Sequence, residues 1–445
     1  MKSYEDFLTE HADMCRESAV FPSELYAKHD VKKGLRDSNG KGVVAGLTNI
    51  SRVIGTRIEG GEPIPVEGSL QYRGYAIEDL IKEQGDKPGL FEKTIYLLLF
   101  DRLPGEEELV EFRHNLSNHF TLPVNFVKEV IMRDNGHDVM NTLSRGILSL
   151  GLYAEDLNDM SPRNALDNCI NIIAKMPCLA AYGHQAYSHY AMNGGFHILN
   201  PNPELTVAEN MLRMLTGSDE ISELDALVLD RILFLHMEHG GGNNSAFTAR
   251  VVSSSGSDTY SVIAAALLSL KGPKHGGANH KVAEMARNIR SNVKDVTDPD
   301  QMKEYLGLIA DKMAFDRRGL IYGMGHAVYT LSDPRATVMR ELARKLAEAK
   351  GRMEEFTMYS LIEELSPDII RGRHNGGPVC ANIDLYSGFA YDMLGIPEDL
   401  YTPMFAVARS VGWCAHHLEE ILSSNKIIRP AYVSVVVERG NLTLD

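Results

Sequence analysis

Basic residues and cysteine are both scarce in this chain. Forty-five lysines and arginines stand against 60 aspartates and glutamates, a formal charge of −15 over 445 residues. That shortage disfavours nucleic acid as a partner, because phosphate binding needs a net basic face. An anionic small molecule remains possible if a few arginines are gathered in one cleft. The cysteines, at 15, 169, 178, 380 and 414, form no CxxC pair and leave one over, so neither a disulfide frame nor a zinc site is expected. No apolar run is long enough to cross a bilayer, and the longest, VIAAALLSL at 262–270, reads as a fully buried core helix. The acidic opening MKSYEDFLTEHADMCRES has neither the apolar stretch of a signal peptide nor the arginine-rich pattern of a transit peptide. A cytoplasmic protein is the expectation.

The chain is too long for one ordinary core, so a larger and a smaller domain are expected. Helical patterns dominate. Residues 222–239 have a serine cap, early acids and dense Leu, Ile and Phe, and the glycines at 240–242 end the run. Residues 333–350 begin with Asp-Pro and carry their basic residues later. Residues 282–293 and 403–422 read as two more helices. Strand signals are few: a short hairpin within 63–75 and a terminal strand at 431–440. The fold class is mainly α, with glycine-rich turns near 275 and 376 as candidate crossing points between domains.

Three acid–base candidates sit in glycine-flanked settings. His275, in GPKHGGAN, falls just before a helix expected near 277–278, whose positive end disfavours an imidazolium. A neutral imidazole can donate to a reacting carbonyl; the alternative is a turn histidine that bonds nearby backbone. His326 lies in a Gly-x-Gly-His turn, followed by Arg335 at a helix start, which together supply a ketone donor and a carboxylate cation. Arg335 alone could equally be a solvated surface residue. Asp384 sits among Val379, Cys380, Ala381, Ile383 and Leu385, neighbours that would desolvate a carboxylate and strengthen it as a base. Its alternative role is a helix N-cap.

Arg409 stands on an otherwise apolar helix, where a buried charge needs a partner unless the side chain snorkels outward. Arg429 precedes a proline, and the three arginines 335, 409 and 429 could clamp a dicarboxylate. His239 and Asn243 follow a helix end. His236, Glu238 and His239 raise a metal-hydrolase alternative, but they miss the H-E-x-x-H spacing and lack a near third ligand.

GSLQYRGYAIEDL, HMEHGGGNNSAFTARVV, GPKHGGAN, GMGHAVY…DPRA, ANIDLYSG, ARSVGW and the late Arg-Pro occur in an order and spacing that resemble citrate synthases over residues 45–435. The resemblance implies a mostly helical homodimer with a large domain (1–276 and 387–445) and a smaller mobile one (277–386), closing over oxaloacetate and acetyl-CoA. It implies catalytic roles for His275 (thioester carbonyl), His326 (oxaloacetate ketone) and Asp384 (methyl proton). His239, Asn243, Arg335, Arg409 and Phe405 would lie on the oxaloacetate or citrate side, with Arg429 reaching in from the neighbouring subunit. Gly323, Met324 and Asn382 would lie on the CoA side. It implies no cofactor beyond the substrates, no metal, no nucleic acid and no membrane. The close rival within the family is 2-methylcitrate synthesis from propionyl-CoA, one methylene away. The pattern departs at Thr330, where many members carry a basic residue for the CoA phosphate. Arg317, Arg318, Arg371 and Arg373 are the available substitutes.

Overall fold

The structure, a computed structural model, describes residues 2–37, 42–60, 62–133, 138–373 and 377–436. Helices make up most of it, with one three-stranded sheet among the described residues, so the mainly α expectation holds. Contacts divide the chain into two units, one of residues 48–427 and one joining residues 1–47 to 428–445.

The larger unit is organised by the helix Tyr401–Ser423. Its residues are buried almost all round, as expected of a helix with no polar face. It packs against the helices Leu90–Phe100, Pro162–Met192, Glu223–His236, Asn244–Ser253 and Thr259–Lys271. Trp413 and Arg409 are among its fully enclosed side chains. Asp230 ties another part of this core together. Its carboxylate accepts the N–H groups of Gly89, Leu90 and Phe91 at 2.9–3.2 Å, capping the helix Leu90–Phe100, and pairs with the adjacent Arg231.

Helix ends follow the local chemistry. Ser222 caps Glu223–His236, which stops three residues short of the expected 239. Asp333 caps Pro334–Lys350, and helices cover Ala278–Asn292 and Tyr401–Ser423 near the expected bounds. The run 262–270 is helical within Thr259–Lys271, but Leu268 is 50% exposed, so it is not wholly buried as expected.

The sheet differs more. The strand Glu62–Tyr72 pairs with Ser51–Glu59, an upstream strand the pattern did not reveal, and turns through Arg73-Gly74 into the short strand Tyr75–Ala76. Both turn residues have left-handed φ, 47° and 86°, which suits a two-residue hairpin turn. The expected terminal strand is absent from the described residues 431–436, which are irregular and exposed; residues 437–440 lie outside the description. The glycine turn near 376 likewise lies partly outside it.

The smaller unit contains the helices Tyr4–Ser18, capped by Ser3, and Ser23–Lys28, neither with a buried residue. Among the described residues no helix is long and apolar enough to cross a membrane.

Candidate active site

Gly323 and Gly325, with φ of 84° and 88°, make the turn that carries His326. Backbone bonds stitch this turn to the segment that carries Asp384. Asn382 N–H reaches the Gly323 carbonyl at 2.9 Å, Gly325 N–H reaches the Cys380 carbonyl at 2.7 Å, and Asn382 Nδ2 reaches the Gly325 carbonyl at 2.8 Å. Met324 bridges Ala381. The three residues expected on the CoA side, Gly323, Met324 and Asn382, therefore form the seam between the segments that carry His326 and Asp384. Asn382 Oδ1 also accepts Asp384 N–H at 3.0 Å, so the aspartate does not cap its own helix, Asp384–Met393.

His326 Nδ1 accepts the N–H groups of Val328 and Tyr329 at 3.0 and 3.1 Å. With Nδ1 accepting twice, the proton of the neutral ring resides on Nε2. The ring stacks on Tyr329, centroids 4.8 Å apart, and meets the buried His239 edge-on at 4.9 Å. His239 Nε2 is buried with no partner among the described residues. Burial and then the charge of Arg335 hold His239 well below the ordinary histidine range.

The arginines divide by environment. Arg335 is 4% exposed and forks onto Asp333, Nε to Oδ1 at 3.0 Å and Nη2 to Oδ2 at 2.7 Å, so the solvated alternative is excluded. Arg409 is 1% exposed, so it does not snorkel. Its Nε donates to the His236 carbonyl at 2.6 Å, and its guanidinium lies 4.6 Å from the Phe405 ring centre. Its Nη1 has no partner among the described residues. Burial lowers this guanidinium to about 10, still charged at neutral pH. Arg429 is exposed and belongs to the other contact unit.

Asp384 is half-buried. Desolvation pushes its carboxyl up to about 6; Asp333 adds to the rise while Arg335 and Arg409 oppose it. His275 lies just before the helix Ala278–Asn292, as expected. Its pKa falls to about 4, with burial the main cause and Arg409 the second. Its Nε2 is 3.1 Å from Ser245 Oγ, and its ring centre 6.5 Å from that of Phe405. Ser245 also receives Trp413 Nε1–H at 3.0 Å and donates to Asn243 Oδ1 at 2.8 Å. Asn243 caps the helix Asn244–Ser253 and so supports His275 through this serine.

Of the three residues in the metal-ligand alternative, two are committed to other partners. His236 Nδ1 bonds the Ile232 carbonyl at 2.9 Å, and Glu238 is engaged by His416 Nε2 at 3.0 Å and Ser51 Oγ at 2.8 Å. Burial opposes the Glu238 charge, but His416 outweighs it and the carboxyl lies at about 2. A carboxylate so committed is a poor general base.

A family model described as citrate synthase, C-terminal domain, matches residues 35–431. The chain belongs to the citrate synthase family. It is 34% identical over 400 residues to a citrate synthase of Acidithiobacillus ferridurans, covering 88% of this chain and 93% of that one. It is 33% identical over 404 residues to a 2-methylcitrate synthase of Corynebacterium glutamicum, covering 90% and 94%. The fold is similar to that of Thermoplasma acidophilum citrate synthase, solved with carboxymethyl coenzyme A and oxaloacetate. The TM-score there is 0.74 at 25% identity, covering 93% of this chain and 98% of that one. The Pyrobaculum aerophilum enzyme gives 0.73 at 29%, covering 91% and 94%.

Against that family background, Asp333, Tyr329 and Ser245 are the residues that sequence reading passed over. Only Asp333 carried a signal, an aspartate before a proline at a helix start. Of the basic residues proposed in place of Thr330, Arg373 forks onto Asp311 at 2.6 and 2.7 Å and Arg371 lies 3.3 Å from Asp368. Arg318 is 4.0 Å from Asp316, while Arg317 makes no ion pair among the described residues.

The raised Asp384 pKa is a stability statement with a definite sign. A carboxyl at 3.8 unfolded and about 6 folded binds more protons in the folded state between those values, so stability falls as pH rises through that window. Asp384→Asn is expected to stabilise the protein by about 3 kcal/mol above pH 6 and not at all near pH 4, from roughly two units of displacement. Thermal melts of both forms from pH 4 to 8 check this; a constant difference across the range contradicts it.

Proposed function

We propose that this chain condenses acetyl-CoA with oxaloacetate and hydrolyses the resulting citryl thioester to citrate and free CoA. The observation that carries this reading is the buried Arg409, whose Nη1 lacks a partner among the described residues, in one site with Arg335 and the neutral His239 and His275. Desolvated cations of this kind are expected to bind a carboxylate-rich substrate.

In this reading Arg335, Arg409 and His239 hold the oxaloacetate carboxylates, and His326 Nε2–H polarises its ketone. The Ser245 hydroxyl has one hydrogen for two acceptors, Asn243 Oδ1 and His275 Nε2. Turned to His275, it leaves that ring's proton on Nδ1, ready to bond the thioester oxygen. Asp384, a carboxylate of raised basicity, takes the methyl proton, and the electron pair moves onto the oxygen held by His275. The carbon then attacks the polarised ketone, whose oxygen gains the proton that His326 presents. Water cleaves the citryl thioester and releases the thiol. Enclosure strengthens each of these polar contacts.

Residues 277–386 are proposed as the smaller, closing part and the remainder as the larger. A homodimer is proposed as well, supported by exposed Leu148, Leu152, Tyr153 and Leu268 on or beside the packed helices Val139–Leu150 and Thr259–Lys271. Arg429 is assigned to the partner's oxaloacetate, no cofactor is required, and the location is cytoplasmic. The second reading, 2-methylcitrate synthesis, is favoured by relatives of that name at similar identity.

Release of CoA thiol by metal-free protein, with oxaloacetate fixed, tests the reaction. Acetyl-CoA is expected to exceed propionyl-CoA in kcat/KM; the reverse order selects 2-methylcitrate synthesis, and no release from either refutes both. As pH falls, kcat is expected to drop below about pH 6, by about tenfold per unit, as Asp384 protonates. Subunits carrying Asp384→Asn and subunits carrying Arg429→Ala are each expected to be nearly inactive. Mixed and reassociated, they should regain activity through the one intact site of each hybrid. No recovery places Arg429 outside a trans role.

A further inference from the structure

Gly55 and Gly68, on the paired strands Ser51–Glu59 and Glu62–Tyr72, both abut the loop that follows His326. The strand register slips between Ile54 and Thr56, which places Gly55 at a bulge. A Cβ on Gly55 would overlap the Val328 carbonyl and crowd the Tyr329 Cα. A Cβ on Gly68 would overlap the Ser332 carbonyl and press on the Tyr329 ring and Pro334. Gly68 N–H also donates to Ser332 Oγ at 3.0 Å, and the Ser332 hydroxyl donates to Glu67.

The pinned loop is the one that orients the chemistry. Val328 and Tyr329 supply the two N–H groups that His326 Nδ1 accepts, Tyr329 stacks on that ring, and Asp333 holds Arg335. Backbone meets backbone here with no side chain between, so a displacement of the hairpin has no soft layer to absorb it.

We propose that the hairpin is a clamp, with Gly55, Gly68 and Ser332 as positioning residues that keep the His326 proton on Nε2. The catalytic meaning of that proton rests on the condensation reading above, in which Nε2–H polarises the ketone. In the proposed division of the chain the hairpin belongs to the larger part and the loop to the closing part.

The test uses Gly55→Ala, Gly68→Ala and Ser332→Ala in the full-length protein. The ¹⁵N signals of His326 in the ligand-free protein report the tautomer without reference to any substrate. Wild type is expected to show a protonated Nε2 and an accepting Nδ1, and the glycine variants a mixture. Ser332→Ala removes only the hydroxyl tie, so it is expected to fold with little change in melting temperature. It decides the matter if the glycine variants do not fold. Its kcat, and theirs, are expected to fall by about 10- to 100-fold, as for small misplacements of catalytic groups. The carbonyl stretch of bound oxaloacetate should move toward its free-solution frequency. Unchanged His326 signals and unchanged kcat in every variant that folds overturn the clamp. A changed tautomer in a protein that releases no thiol from any acyl-CoA would leave the clamp standing and refute the reaction instead.

Discussion

Burying two guanidinium groups within one site is the constraint around which the rest is arranged. Arg335 is neutralised by Asp333, which the helix Pro334–Lys350 positions as its own cap. Arg409 has a carbonyl and an aromatic face for company but no carboxylate bonded to it. A desolvated charge left in that state is costly, and it persists when a ligand or the surrounding fold compensates it. Here the compensation is divided: Asp333 pairs with one cation, while the charge of Glu238 partly offsets the other, which in the proposed reading also binds a substrate carboxylate.

Burial and the same pair of charges together set the protonation of the groups near them, burial being the larger influence. The charges depress His239 and, through Arg409, His275, so both rings are neutral at physiological pH and can act as hydrogen-bond donors. They oppose the rise in the Asp384 pKa without cancelling it, leaving a carboxylate that is ionised at neutral pH yet more basic than one in water. In the proposed reaction, a neutral donor and a strengthened base acting on one thioester are what removal of a weakly acidic carbon-bound proton requires. The site achieves this with burial and fixed charge, and its stability is lower for it, as functional sites commonly are.

Much of this was legible in the sequence because the signals were local. Helix caps at Ser222 and Asp333, the Gly-x-Gly-His turn and the isolated Arg409 each follow from a few neighbouring residues. Other parts depend on contacts far along the chain. The strand Ser51–Glu59 was hidden because its residues do not alternate between apolar and polar, and Gly55 sits opposite a register slip with its partner. The expected strand at 431–436 had the right residues, yet the described part forms no ladder, since β propensity needs a partner. Tyr329 and Ser245 gave no signal because their roles come from what they touch. Tyr329 reaches His326 over three residues, but Ser245 reaches His275 across 30. The burial of His275 by tertiary packing, which adds to what its place before a helix suggests, is the same lesson in electrostatic form.

The central claim is that Arg409 and Arg335 form a site completed by a dicarboxylate. Calorimetric titration of the metal-free protein with oxaloacetate and with pyruvate, which has the same ketone and only one carboxylate, tests it most directly. The account predicts one oxaloacetate bound per subunit with a matching rise in melting temperature, pyruvate binding far more weakly, and the difference lost in Arg409→Ala. Equal binding of the two acids, or an Arg409→Ala protein that still discriminates between them, would contradict it.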